Sequence, residues 1–290
     1  MPRFLVTGAN GQLGQCFRAV AQEFPEQQLI FAQKAEADIT VPKSYNSIYQ
    51  KRPFDGIINC AAYTQVDKAE NEPSLAHRIN VSGTKNIIDF AQKKALSVIH
   101  FSSDYVFDGL SSKPYLEDSI THPINTYGYS KLQGEEIIKM ASCPHIIIRL
   151  SWLFSPFGEN FVKTILKLSK MKKTIQVVND QYGRPTYGID LARTVLSNIT
   201  KPNFFDFNSY NYAMQGTTTW FDIASKILTI KKSTCQIKSC STAEYPTLAK
   251  RPKHSVLDTK RIENHLSLNI PSWEDSLKRC LKRIDNNEQI

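Results

Sequence analysis

The sequence predicts an α/β fold, a doubly wound parallel sheet with a smaller lobe attached. Three observations point there. Short β-branched runs alternate with helical patterns over the first 150 residues, a glycine-rich turn separates the first strand from the first helix, and after Trp152 the pattern changes. Strands covered on both faces read as short continuous apolar runs. Right-handed crossovers through the intervening helices then wind them into one sheet.

Phe4-Leu5-Val6 is the first strand, and the glycine turn leads into a helix near Gln12 to Phe24. Leu29-Ile30-Phe31-Ala32 is the second strand, and Gly56–Ala62 and Ser97–Ser102 read as buried strands with a helical pattern around Ala76 to Lys93 between them. His145–Leu150 follows as another strand. Asn160 to Lys173 patterns as one amphipathic helix with Lys163, Lys167 and Lys170 on its solvated side. Val177–Asp180 and Ile189–Ala192 predict a return to the main sheet. From Asn203 onward aromatics, prolines and basic residues mix with shorter helices, and with no low-complexity linker or repeat the two parts are expected to pack as one unit.

Composition narrows the classes. With 290 residues, 41% hydrophobic and 22% charged, the chain is neither disordered nor fibrous. Its longest apolar runs are far short of the roughly 20 residues of a membrane span. Met1–Gly8 runs straight into a strand without the apolar core of a secretory signal. The six cysteines form no C-x-x-C and meet no histidines at zinc spacing, so free thiols in the cytoplasm are expected. The net charge is +9, and from Lys226 to the end 13 Lys and Arg face 7 Asp and Glu, a net of +6. No basic stripe with interleaved aromatics suggests nucleic acid. A basic carboxy-terminal part facing an anionic small molecule is the sharper expectation, and a solvated surface the ordinary alternative.

Gly8-Ala9-Asn10-Gly11-Gln12-Leu13-Gly14 reads G-x-x-G-x-x-G after a strand and into a helix. That is the context of a dinucleotide fingerprint, in which glycines permit the tight turn and the helix N-terminus faces the pyrophosphate. Residues 1–151, completed by about 176–204, are therefore expected to form an NAD(P)-binding Rossmann-type domain. Residues 152–175 and 205–290 would form a discontinuous α/β substrate-binding lobe. At the end of the second strand, where an acidic residue would hold the ribose of NAD, stand Gln33 and Lys34, followed by Glu36 and Asp38. A neutral residue beside a lysine suits a 2′-phosphate, so NADPH is favoured, with NADH left open. Lys34 as an ordinary solvated lysine is the alternative.

Tyr127-Gly128-Tyr129-Ser130-Lys131 places a tyrosine and a lysine at i and i+4, on one helix face. Hydride delivery to a ketone builds an alkoxide that needs a proton. A phenol with a pKa of about 10 can donate it, and a neighbouring ammonium stabilises the phenolate left behind. Ser102-Ser103-Asp104 follows a buried strand, at the sheet edge where ligands bind in this architecture. A serine hydroxyl there can bond both the tyrosine and the substrate oxygen. Capping of the strand end and of a turn is the structural alternative.

Together these residues resemble the extended short-chain dehydrogenase/reductases. More narrowly, Cys60–Glu70 looks like the "AAYTxVDKAE" stretch of the dTDP-4-dehydrorhamnose reductase family, and Ser102–Gly109 is similar to its "STDYVFDG". Leu150–Phe154 resembles "TSWVY", Asn179–Thr186 resembles "NDQxGxPT", and Arg251-Pro252 with Ser255 and Leu257 fits "RPxxSxL". The resemblance covers about residues 3 to 260. It implies reduction of the 4-keto group of dTDP-4-dehydro-L-rhamnose to dTDP-L-rhamnose, within cell-surface polysaccharide biosynthesis. It puts Gly11, Gln12 and Leu13 on the dinucleotide phosphates, Asp38 and Ile39 beside the adenine, and Ala61, Ala62 and Tyr63 beside ribose and phosphates. Ser103, where the family usually has threonine, would bind the keto oxygen, and Asp104 the sugar. Tyr127 would supply the proton, Lys131 would tune it and hold the nicotinamide ribose, and Trp152 would shape the sugar pocket. Asn80 matches an asparagine common in the superfamily. Arg251 is the candidate contact to the diphosphate, a salt bridge stabilising the loop before Pro252 being the alternative. Some members of the family use glutamates in a metal-bridged dimer. Gln15 and Ile189 stand near those places, and Asp190 alone cannot supply an oxygen-rich site, which puts Mg2+ and that homodimer in doubt. The rival readings are a nucleotide-sugar 4-epimerase that retains NAD, and a non-catalytic homologue similar to the regulatory subunit of methionine adenosyltransferase.

Overall fold

A six-stranded parallel sheet organises the chain, whose computed structural model describes residues 1–288. The first half runs β1 (Arg3–Thr7), α1 (Gln12–Val20), β2 (Gln28–Phe31), α2 (Pro42–Lys51), β3 (Gly56–Asn59), α3 (Val66–Asn71), α4 (Pro73–His77), α5 (Thr84–Lys94), β4 (Ser97–Ser103), α6 (Thr126–Lys139) and β5 (His145–Leu150). A π-helical turn, Arg78–Gly83, joins α4 to α5. The second half runs β6 (Leu153–Phe154), α7 (Phe161–Met171), β7 (Thr174–Val178), β8 (Tyr182–Gly183), β9 (Thr186–Tyr187), α8 (Gly188–Leu196), β10 (Ser209–Tyr212), β11 (Thr218–Thr219), α9 (Trp220–Ile230), β12 (Gln236–Cys240), α10 (Lys260–Leu266) and α11 (Trp273–Glu288).

Across the sheet the order is β2-β1-β3-β4-β5-β10, every neighbouring pair parallel. The direction of winding reverses between β1 and β3, so the carboxyl ends of these two strands and of β4 open the crevice where such sheets take ligands. Alternate strand residues feed two cores. Val6, Ile58, Ile99 and Ile148 pack with α1, α8 and the second half of the chain, whereas Leu5, Ile57, Val98 and Ile147 pack with α2 and α5. The first of these cores continues unbroken into the residues of α7, α9 and α11.

One expectation is corrected. Val177–Asp180 and Ile189–Ala192 do not return to the main sheet: β7 pairs with β12 in a separate two-stranded sheet, and Ile189–Ala192 lies in α8. The sixth strand is β10, Ser209-Tyr210-Asn211-Tyr212, within the stretch assigned above to the lobe. An apolar run as short as Val177-Val178 does not reveal which sheet it joins. The true edge strand has no aliphatic run at all. It is held by Asn211, fully buried, which donates from its side chain to the Tyr115 carbonyl and from its backbone to Glu117 Oε1.

Candidate active site

Three walls meet at the carboxyl edge of the sheet. The first is the glycine turn. Gly8 has φ +63°, and a Cβ there would sit 2.7 Å from the Ala61 nitrogen; one on Gly14 would come within 2.6 Å of Ala9 Cα. Only glycine lets the turn lie this close to the chain leaving β3. Gly11 caps α1 without a side chain bonded to the first turn, and that turn carries no acidic residue. The helix N-terminus is thus left to an external anion. Gln12 reaches across to the Leu153 carbonyl (3.2 Å), and Leu13 is buried.

At the end of β2, Gln33 accepts a hydrogen bond from Asn10 Nδ2 (2.7 Å), which ties it to the glycine turn, and Lys34 is exposed. Asp38 accepts from the Thr40 nitrogen and hydroxyl, both 2.8 Å, and Ile39 is buried beside Gly83. Ala61 and Ala62 line the exit of β3. Tyr63 follows, its backbone pinned on both sides by the Asn80 amide and its hydroxyl donating to Glu72. Asn80 also donates to Ser130 on α6, so its place is structural, holding the wall after β3 against the helix that carries Tyr127. A glycine cradle, a free helix N-terminus and a lysine at the end of β2 fit a dinucleotide with a 2′-phosphate.

The second wall is α6 and the end of β4. Asn125 caps α6, accepting from the Gly128 nitrogen (2.8 Å), while Glu70 accepts from both the nitrogen and the hydroxyl of Thr126 (2.9 and 3.0 Å). A carboxylate at a helix N-terminus is favoured by the dipole. Thus anchored, α6 buries Tyr127 and Lys131 on one face, as the i, i+4 spacing predicts. Ser103, the last residue of β4, donates to Asp104 Oδ1 (3.1 Å) and accepts from the Tyr105 nitrogen (3.2 Å). Tyr105 packs edge-on to Tyr127, ring centres 5.7 Å apart. Lys131 Nζ donates to the Phe101 carbonyl (2.7 Å).

Burial governs the titration of this wall. It pushes the Tyr127 phenol up to about 12, helped by Asp104 and opposed by Ser103. It pushes the Lys131 ammonium down to about 8, opposed by Glu135 one turn along. Asp104 rises to about 7 through burial, against hydrogen bonds from Ser255 and Ser103. Tyr127 is therefore a protonated phenol at neutral pH.

The third wall belongs to the second half of the chain. A cavity of about 310 Å³ is lined by Phe161, Leu168, Val177, Gln181, Trp220, Tyr245 and Arg251, among others. Trp152, at φ +48°, stacks on Trp220 with ring centres 3.9 Å apart, and Trp220 in turn donates to Gln181 (3.2 Å). A tryptophan in the left-handed region is strained, and such strain gathers at functional sites. Arg251 lines the cavity and also makes the expected alternative contact, a bidentate pair with Asp67 (3.0 and 2.6 Å). Asn125 meanwhile donates to the Lys250 carbonyl (2.8 Å), so the same loop is tied to the start of α6.

The residues near the family's metal position do not fit a hard cation. Gln15 donates to the Asn10 carbonyl, Ile189 is buried, and Asp190 is occupied by Arg279 through two 2.6 Å contacts. Among the described residues no cluster of three His, Cys, Asp or Glu could hold a metal, and no helix is long and apolar enough to cross a membrane.

Sequence reading missed several members of the site. Asp67 and Glu70 lie inside a motif noted for its resemblance, yet what they hold is 184 and 56 residues away. Trp220 carried no signal. Asn59 and His100 did carry one: each is a polar residue within an apolar strand that the sheet buries completely.

A parallel doubly wound sheet with a serine, a tyrosine and a lysine gathered at its carboxyl edge defines the class of the extended short-chain dehydrogenase/reductases. Within it, the chain belongs to the dTDP-4-dehydrorhamnose reductase family. The family model described as the RmlD substrate binding domain matches residues 2–286. The dTDP-4-dehydrorhamnose reductase of Aggregatibacter actinomycetemcomitans is 36% identical over 96% of this chain and 98% of its own. Among solved structures, the dTDP-4-dehydrorhamnose reductase of Bacillus anthracis in complex with NADP superposes with a TM-score of 0.92 at 35% identity, covering 98% of this chain and all of that one. The Clostridium acetobutylicum dTDP-4-dehydrorhamnose reductase also gives 0.92, at 34% identity over 98% and 99% of the two chains.

Proposed function

We propose that this protein reduces the 4-keto group of dTDP-4-dehydro-L-rhamnose to the hydroxyl of dTDP-L-rhamnose in the cytoplasm, with NADPH as reductant. When bound, the cofactor supplies the hydride. Ser103 donates to the keto oxygen and keeps it beside the Tyr127 phenol. As the C4–O π bond opens, its electron pair settles on that oxygen, and Tyr127 transfers its proton there. Lys131 stabilises the phenolate and returns a proton to it. The glycine turn from Gly8 to Gly14 and the free start of α1 hold the diphosphate of the cofactor, with Gln33 and Lys34 toward its 2′-phosphate. Asp38 and Ile39 flank the adenine, and Ala61 to Tyr63 the adjoining ribose and phosphates. The sugar lies against Asp104 and Trp152, with its nucleotide toward Arg251 and the aromatic cavity.

The observation that carries this reading is the burial of Ser103, at the end of β4, together with Tyr127 and Lys131 on one face of α6. A non-catalytic homologue has no use for the buried pair, and an epimerase, whose cycle regenerates its own cofactor, is separated by cofactor consumption. The test is spectrophotometric: purified protein with dTDP-4-dehydrorhamnose should consume NADPH stoichiometrically. Interconversion of sugars with no net NADPH loss, or no turnover at all, overturns the proposal.

A further inference from the structure

From Lys131 a chain of polar side chains runs through the sheet. Thr7 (β1), Asn59 (β3), His100 (β4) and Lys131 (α6) are each no more than 2% exposed, so their hydrogen bonds are made with one another and not with water. The Thr7 hydroxyl donates to Asn59 Oδ1 at 2.7 Å, and the backbone nitrogen of Ala61 donates to the same oxygen at 3.2 Å. Asn59 Nδ2 lies 3.0 Å from His100 Nδ1, and His100 Nε2 lies 3.3 Å from Lys131 Nζ.

The direction of these bonds follows from the one donor that cannot reverse. A backbone N–H can only donate, so the Asn59 atom facing Ala61 is its oxygen, and its NH2 group faces the histidine. His100 Nδ1 must then be the lone-pair nitrogen. Burial and the neighbouring lysine both drive His100 well below the ordinary histidine range, so the ring is neutral. A neutral imidazole with a lone pair on Nδ1 carries its proton on Nε2.

We propose that His100 is a positioning residue for Lys131, its ring locked by Asn59 in the Nε2–H tautomer so that a proton donor faces the lysine nitrogen. An N–H aimed at an ammonium opposes it; aimed at a neutral amine, it donates into the lone pair. His100 therefore favours the state in which Lys131 has just passed a proton to the Tyr127 phenolate. The lysine N–H bond breaks and the phenol O–H bond re-forms. The free amine accepts from Nε2–H until solvent reprotonates it, with the Phe101 carbonyl holding the nitrogen in place throughout. The charged group that bears on Lys131 is Glu135, one turn along its own helix, while Tyr127 stands one turn back on the same face with Asp104 acting on its phenol. Glu135 is itself held by a bidentate bond from Arg149 of β5 (2.9 and 2.7 Å), with Lys139 3.8 Å away.

This inference rests on Tyr127 and Lys131 being the proton-transferring pair, but its first test does not. In protein labelled with 15N-histidine, with or without cofactor, two-bond proton–nitrogen spectra should show His100 as the neutral Nε2–H tautomer from pH 5 to 9; an Nδ1–H or doubly protonated ring overturns it. The second test is Asn59→Asp, nearly isosteric, which offers a carboxylate and so draws the proton to Nδ1. That turns a lone pair toward Lys131, and the alkaline limb of kcat/KM, expected near pH 8 where Lys131 loses its charge, should move up by about one unit. A flipped tautomer with an unmoved limb overturns the link to Lys131. Loss of the Tyr127 assignment would show separately, as a Tyr127→Phe variant that still turns over.

Discussion

The wall that carries Tyr127 and the wall that carries Arg251 face the same crevice but are held in different ways. Around Tyr127 and Lys131 the polar side chains are buried, and their partners come from β1, β3, β4 and the π-helical turn. Around Arg251 the main tie is an ion pair whose side chains remain 21% and 41% exposed, beside Tyr245 at 52% and Leu248 at 66%. Buried, mutually satisfied networks allow few alternative arrangements. Exposed ion pairs contribute only about 0–1 kcal/mol. On the proposed reading, the chemistry is set in place before substrate arrives, whereas the nucleotide side can adjust to what it binds.

The largest effect should come from the rigid wall. Tyr127→Phe removes the proton donor and is expected to lower kcat by about 10²–10⁴-fold while cofactor binding, followed by nicotinamide fluorescence, stays intact. A drop of less than tenfold would mean that the buried pair is scaffold. Arg251→Ala tests the adaptable wall: KM for the nucleotide sugar should rise about tenfold with kcat little changed, the signature of lost uniform binding. An unchanged KM with a lower melting temperature would make Arg251 only the partner of Asp67. The smallest effect is expected at the outer end of the cofactor cradle. Lys34→Ala should reduce the preference for NADPH over NADH a few-fold, as exposed charges do, and equal efficiencies before the substitution would remove Lys34 from the cofactor's 2′-phosphate.

Much of the glycine turn and of the wall that carries Tyr127 was legible from residue types and spacing, because their determinants are local. Glycine at positions 8 and 14 is a local steric requirement, and the i, i+4 spacing of Tyr127 and Lys131 guarantees a shared helical face wherever the helix lies. The first five strands were legible because parallel strands bury both faces and so read as apolar runs. The sixth was not, since Ser209–Tyr212 lacks such a run and owes its place to buried Asn211 and two tyrosines packed on the core.

By itself, then, the sequence determined the class of fold, the glycine turn and the tyrosine–lysine pair, each specified by neighbours a few residues apart. Only the tertiary structure decided that Asp67 holds Arg251, that Glu70 anchors the start of α6, that Trp152 stacks on Trp220, and that His100 lies between Asn59 and Lys131. The reason is physical. A hydrogen bond or ion pair between residues 30 or more positions apart leaves no periodicity behind, and which nitrogen of a histidine carries the proton depends on partners that only folding brings within 3.3 Å.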